Sequence, residues 1–197
     1  MCDNSIRVWR LKVKIYKNNL QYENEYFLIR LINETDCESL LEVYSDKLAL
    51  PFFNNDDSDE DNSFYNTKER MADAIKFWKM AYENGWFVRL SIIDKKIYKI
   101  IGTVEISLRV SEDCFNNMGI LRVDVKSNYE TLDNLYNIFT LSLKAIKDVL
   151  RCDSVITKAP IYAVDRIEAI KNIGFVRSNN FLIGKNNFLY DGYWIKY

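Results

Sequence analysis

The chain has no histidine in 197 residues. Ser-His-Asp and Cys-His hydrolysis, His-ligated zinc and histidine general bases are therefore unavailable within it. Any acid–base step must use Asp, Glu, Tyr, Lys, Cys or an ordered water. Paired cysteines are missing too. Cys2, Cys37, Cys114 and Cys152 are far apart and make no C-x-x-C, which argues against a zinc knuckle, a dithiol redox centre or any metal site. Neither charge dominates: 27 Lys and Arg face 28 Asp and Glu, so no basic field exists for sequence-independent nucleic-acid binding. No apolar run has the length of a signal peptide or a bilayer span. A soluble, cytoplasmic protein with reduced thiols and no nucleic-acid or membrane partner is expected.

What is present is an apolar share of 48%, enough to bury a core, on a length that suits one domain. Residues 1–25 read as an N-terminal extension, with Ile6, Val8, Leu11, Val13 and Ile15 suggesting an extended arm. Residues 26–197 read as the domain. Its first strand is Tyr26–Ile32, followed by a capping box at Thr35-Asp36-Cys37-Glu38 that starts a helix through Leu40, Leu41 and Tyr44. The acidic stretch Asn54–Asn62 is a solvated loop. A second helix from Thr67 places Met71, Ala74, Ile75, Trp78 and Tyr82 on one face and stops at Asn84-Gly85. Strands at Trp86–Asp94 and Lys99–Val110 form a hairpin, and Ile120–Val125 follows. The helix at 131–150 buries Leu132, Leu135, Tyr136, Phe139, Leu143, Ile146 and Leu150. Then come a strand at Ser154–Ala159, a short helix at Val164–Ile173, and a closing hairpin of Phe175–Ile183 with Phe188–Tyr197.

Strand alternation separates two faces. One carries Arg89 and Ser91, then Thr103, Glu105, Ser107 and Arg109, then Arg122 and Asp124. A polar face between central strands must be solvated, paired or used as a cleft. Glu105, and after it Asp124, are the candidate general bases. The competing expectation is a cross-strand ion network with Arg89, Arg109 and Arg122. Those arginines are equally candidates to hold an anionic substrate group. Trp9, Trp78, Trp86 and Trp194 read as core or rim residues, since no basic groove accompanies them.

Three pieces resemble the GCN5-related N-acetyltransferases, particularly the ribosomal-protein branch. Ile101-Gly102-Thr103-Val104-Glu105 is similar to a strand of that branch. Val123–Phe139 resembles the strand–turn–helix crossover that cradles the pyrophosphate of acetyl-CoA. Asn172-Ile173-Gly174-Phe175 resembles the close of the last helix. The resemblance implies an α/β fold, a mixed, mainly antiparallel sheet of six or seven strands flanked by helices. It also implies acyl transfer from acetyl-CoA to a primary amine in a ternary complex, with the carbonyl polarised by backbone N–H groups of Ile120–Val125. The implied cofactor contacts are Val123, Val125, Lys126, Ser127, Thr131, Leu132 and Arg166. The acceptor would be a small-molecule amine or a peptide N-terminus, and a second copy of the chain is a candidate partner.

The turn departs from that family's Arg/Gln-x-x-Gly-x-Gly/Ala pattern. It reads Asn128-Tyr129-Glu130-Thr131-Leu132-Asp133-Asn134, with Glu130 at the cation position and Thr131 and Asp133 at the glycine positions. Acids in a first helical turn are also good helix design. Arg166 is either a phosphate ligand that compensates or an exposed helix arginine. The alternative function is therefore a catalytically inactive binding or interaction module that kept the fold and lost the CoA loop.

Overall fold

The computed structural model describes residues 20–56 and 62–197. The arm expected over Ile6–Ile15 lies outside these residues. Eight strands make one sheet: β1 (Gln21–Glu23), β2 (Phe27–Leu31), β3 (Val88–Asp94), β4 (Lys99–Leu108), β5 (Gly119–Val125), β6 (Val155–Lys158), β7 (Val176–Arg177) and, after a separate hairpin, β10 (Tyr193–Lys196). Their order is β1-β2-β3-β4-β5-β6-β10-β7. Every neighbouring pair is antiparallel except β5 with β6.

The expected six or seven strands are thus eight. β1 and β7 have three and two residues, too few for a period-2 pattern to register. β1 lies inside the segment read as an extension. The closing hairpin is also divided. β8 (Leu182–Ile183) pairs with β9 (Leu189–Tyr190) on its own, while β10 inserts between β6 and β7.

Among the described residues four α-helices flank the sheet: α1 (Cys37–Tyr44), α2 (Lys68–Glu83), α3 (Leu132–Leu150) and α4 (Val164–Asn172). The cap ahead of α1 differs from the one expected. Asn33 caps a short 3-10 turn and Asp36 returns the bond to the Asn33 N–H, so the box is Asn33-x-x-Asp36. The earlier register lets Asp36 also pair with Arg30 at 2.8 Å and accept from Ser91 Oγ at 2.7 Å. Thr67 caps α2 by accepting from the Arg70 N–H.

α3 and α4 cover the apolar face of the sheet. Leu135, Ile138, Phe139, Ile146 and Val149 join Leu90, Val104, Leu121 and Val123 in the main core. Tyr136, expected in this set, is exposed. α1 and α2 cover the opposite face, where Tyr44, Met71, Ile75 and Trp78 form a second cluster. The face that reads as polar is therefore roofed by helices. At its centre β5 runs very close to β4. A Cβ on Gly102 would lie 2.2 Å from the Asp124 carbonyl oxygen, so this crossing needs a glycine.

Candidate active site

The register puts the polar residues directly opposite one another. Arg89 faces Glu105, Ser91 faces Thr103, Thr103 faces Asp124 and Glu105 faces Arg122. Above Arg89, Glu105, Arg122 and Asp124 opens a cleft of about 650 Å³, walled by Tyr65, Trp78, Trp86 and Phe87. That volume is in the range of small-molecule sites.

Arg89 organises the floor. It is buried, with its guanidinium over the Trp78 ring at 4.4 Å. One end is ion-paired with Glu105, and the other donates to Tyr44 Oη at 2.8 Å and Asp124 Oδ2 at 3.3 Å. Arg122 completes the row at 3.5 Å from Glu105 and donates to the Asp56 carbonyl at 2.8 Å.

The two carboxylates therefore differ in environment. Burial alone would raise the Glu105 carboxyl, but Arg89 and Arg122 together pull it below its ordinary value. The ion-network expectation describes Glu105 well. Burial pushes Asp124 above the ordinary aspartate range, against the pull of Arg89 and with Glu105 adding to the rise. Asp124 Oδ2 is held by Tyr44 and Arg89, while Oδ1 is buried without a hydrogen-bond partner. A carboxylate with one anchored oxygen and a raised pKa is the better proton acceptor.

Arg109 does not join this group. Its guanidinium pairs with Asp113 and donates to the Ile183 carbonyl at 2.7 Å, because the strand ends at Leu108 and the chain turns away. Ser91 is engaged by Asp36 instead of the cleft. Tyr44 was legible only as a helical-face residue. It is the last residue of α1, wholly buried, with Oη 2.7 Å from Thr103 Oγ1. Asp56 belongs to the stretch whose sequence predicts a solvated loop. It is buried, accepts two 2.7 Å bonds from Lys158 Nζ, and accepts from Tyr193 Oη at 3.0 Å.

The second half of the site lies at the edge of β5. β5 and β6 pair only at Gly119 with Val155 and Ile120 with Ile156, and then diverge. The Gly119 N–H donates to the Ser154 carbonyl, so the peptide groups of Leu121, Val123 and Val125 point to the same side. Into this wedge projects Arg166 from α4. It is 2% exposed, donates to the Val123 carbonyl at 2.8 Å, and is ion-paired with Glu130. The expectation of an exposed helix arginine is corrected. Apolar α3 shields this guanidinium, which lies 5.8 Å from the Phe139 ring. Burial raises the Glu130 carboxyl, and Arg166 only partly offsets the rise.

The other candidate cofactor contacts divide. Lys126 pairs with Glu42, and the Ser127 N–H donates to Asp46 at 2.8 Å; both tie the turn to the end of α1. Leu132 packs half-buried against the core. Thr131 precedes α3 without a side-chain cap, which leaves the first N–H groups of that helix to another acceptor. Thr131 and Asp133 are both exposed.

These residues fit a CoA thioester. A diphosphate needs clustered N–H donors and a cation. The uncapped start of α3 provides the donors, and the cation is the Arg166 guanidinium, which is paired with Glu130. Among the described residues, no group of His, Cys, Asp and Glu could hold a metal ion, and no helix is long and apolar enough to cross a membrane.

No protein-family model matches the chain, and no curated protein sequence matches it. Solved structures do. An acetyltransferase of the GNAT family from Bacillus anthracis superposes with a TM-score of 0.67 at 14% identity, covering 90% of this chain and 98% of that one. The ribosomal-protein-S5-alanine acetyltransferase of Vibrio fischeri gives 0.66 at 15% identity, covering 90% and 94%. The spermidine N-acetyltransferase of Vibrio cholerae, in complex with CoA and spermine, gives 0.59 at 10% identity, covering 88% and 94%. At such identities the likeness concerns the path of the backbone. This chain has the fold of the GCN5-related N-acetyltransferases.

Proposed function

We propose that the protein is an N-acetyltransferase that moves an acyl group from a CoA thioester to a primary amine seated in the cleft over β3, β4 and β5. The observation that carries this reading is the double use of β5. The Asp124 side chain lies on the cleft floor, while the peptide groups of Val123 and Val125 on either side face the wedge beside β6. In this reading one strand separates a place for an amine from a place for a thioester.

In this reading CoA, when bound, supplies the activated acyl group. The N–H groups at the start of α3 and the Arg166 guanidinium would hold its diphosphate. The chain's own residues prepare the acceptor. Tyr44 and Arg89 hold the Asp124 carboxylate, and that carboxylate takes a proton from the ammonium so that the nitrogen lone pair is free. Arg89, Glu105 and Arg122 keep the floor in one geometry. The aromatic walls exclude water and favour an acceptor with an apolar or aromatic body. The test is release of free CoA thiol from acetyl-CoA with a panel of amines and short peptides, read by a thiol reagent. Acceptor-dependent thiol release that is lost in Asp124→Asn supports the reading; none with any amine class, alongside unaltered melting in the presence of acetyl-CoA, defeats it.

A further inference from the structure

The ion pair between α4 and the turn before α3 has no place in the proton chemistry of the cleft. Arg166 is buried, and its two partners are both acceptors from this chain: the Val123 carbonyl on the β5 edge and the Glu130 carboxylate. Glu130 is the residue before the uncapped Thr131, and its carboxylate is bonded to the Arg166 guanidinium. Yet it is poorly stabilised there. Burial raises its pKa, and Asp124 on β5 and Asp165 on α4 repel it, with Arg166 the counter-charge. A small cavity of about 220 Å³, bounded by Phe52, Tyr162, Val164 and Asp165, adjoins the pair, so the Glu130 side chain has space to withdraw.

We infer that Glu130 is an internal stand-in for the diphosphate, a latch on Arg166 that an incoming CoA must displace. This rests on the reading of the wedge as a CoA groove. The exchange keeps the buried guanidinium paired: one carboxylate oxygen leaves it and a diphosphate oxygen replaces it. Removing the latch without a replacement would leave Arg166 unpaired, which is strongly unfavourable in a buried site. Cofactor affinity is then lowered by the fraction of molecules in which the latch is open. A latch closed about nine-tenths of the time weakens apparent binding by roughly tenfold.

Titration calorimetry with free CoA tests this without any turnover. Glu130→Gln removes the charge and keeps the shape, and is expected to bind CoA about tenfold tighter than the parent. Glu130→Asp keeps the charge but shortens the reach, and is expected to fall between the two. In ligand-free protein, Glu130→Gln should melt lower, and saturating CoA should restore it more than it raises the parent. Should Glu130→Gln not fold, the Asp variant decides alone: tighter binding than the parent supports the latch, and equal or weaker binding overturns it. Parent and Gln variant binding CoA equally, at micromolar affinity, overturns the latch and leaves the acetyltransferase reading standing. Neither binding CoA at millimolar concentration overturns both.

Discussion

Gly102 of β4 and Asp124 of β5 are in such close approach that no side chain fits between them: a Cβ on Gly102 would stand 2.2 Å from the Asp124 carbonyl oxygen and 2.8 Å from Val125 Cγ1. The position of the candidate base depends on a missing methyl group. Gly102→Ala must push the two strands apart. Overpacking of this kind costs about 1–3 kcal/mol, measurable by urea denaturation. Activity should fall further than stability accounts for, since Asp124 moves relative to Tyr44 and Arg89.

The two carboxylates of the floor should separate cleanly on mutation. Asp124→Asn is expected to lower kcat by roughly 100-fold or more, with CoA binding nearly intact by calorimetry. Because Asp124 must be ionised to take a proton and burial raises its pKa, the rate should climb with pH along a limb lying above the ordinary aspartate value of about 3.9. Glu105→Gln should act on the fold instead. It leaves Arg89 and Arg122 without their shared carboxylate, a loss of about 3–5 kcal/mol for a broken buried pair. Comparable kcat losses in both variants at equal stability would contradict the division of roles.

Phe139 is fully buried in the main core, and its ring lies under Arg166. Phe139→Ala should cost about 3–5 kcal/mol in chemical denaturation. A loss below about 1 kcal/mol would contradict the packing of α3 on the sheet.

Asp113 sets an acid limit on stability. Burial alone would raise its carboxyl. Bonds from Arg109, Ser111 and the Ile183 and Phe115 N–H groups hold it well below the usual range. With the folded pKa below the unfolded one, its contribution is present above the unfolded value of about 3.9 and is lost as pH falls towards the folded pKa. Asp113→Asn should flatten that acid limb of stability in melts between about pH 5 and pH 2.

Much of the sheet was legible because alternation is local. That Arg89, Thr103, Glu105, Arg122 and Asp124 share one face follows from the period-2 reading, whereas which residue faces which is set by the register between β3, β4 and β5. What covers that face was not legible. Tyr44 reaches Asp124 from 80 residues away in sequence, and no periodicity within α1 announces where its end points. The same holds for Arg166 and Glu130, 36 residues apart: an arginine on a short helix reads as surface until α3 is seen to enclose it. The cap before α1 failed for a different reason. Two overlapping patterns, Thr35-x-x-Glu38 and Asn33-x-x-Asp36, both satisfy a helix start, and tertiary bonds from Arg30 and Ser91 choose between them.

Asp56 is joined to Lys158 and Tyr193 across 102 and 137 residues of chain. Contacts of such separation close large loops, so they form only after much of the chain is ordered. The floor of the cleft, built from β3, β4 and β5 in consecutive antiparallel pairs, has no such handicap. Assembly should therefore proceed from floor to roof, and opening in reverse. Amide hydrogens at Asn55 and Asp56 should exchange with solvent deuterium well before those of Thr103–Ile106, through excursions that leave the sheet intact. Access to the interior would then be governed by the lifetime of the bonds that Lys158, Tyr193 and Arg122 make to a single aspartate.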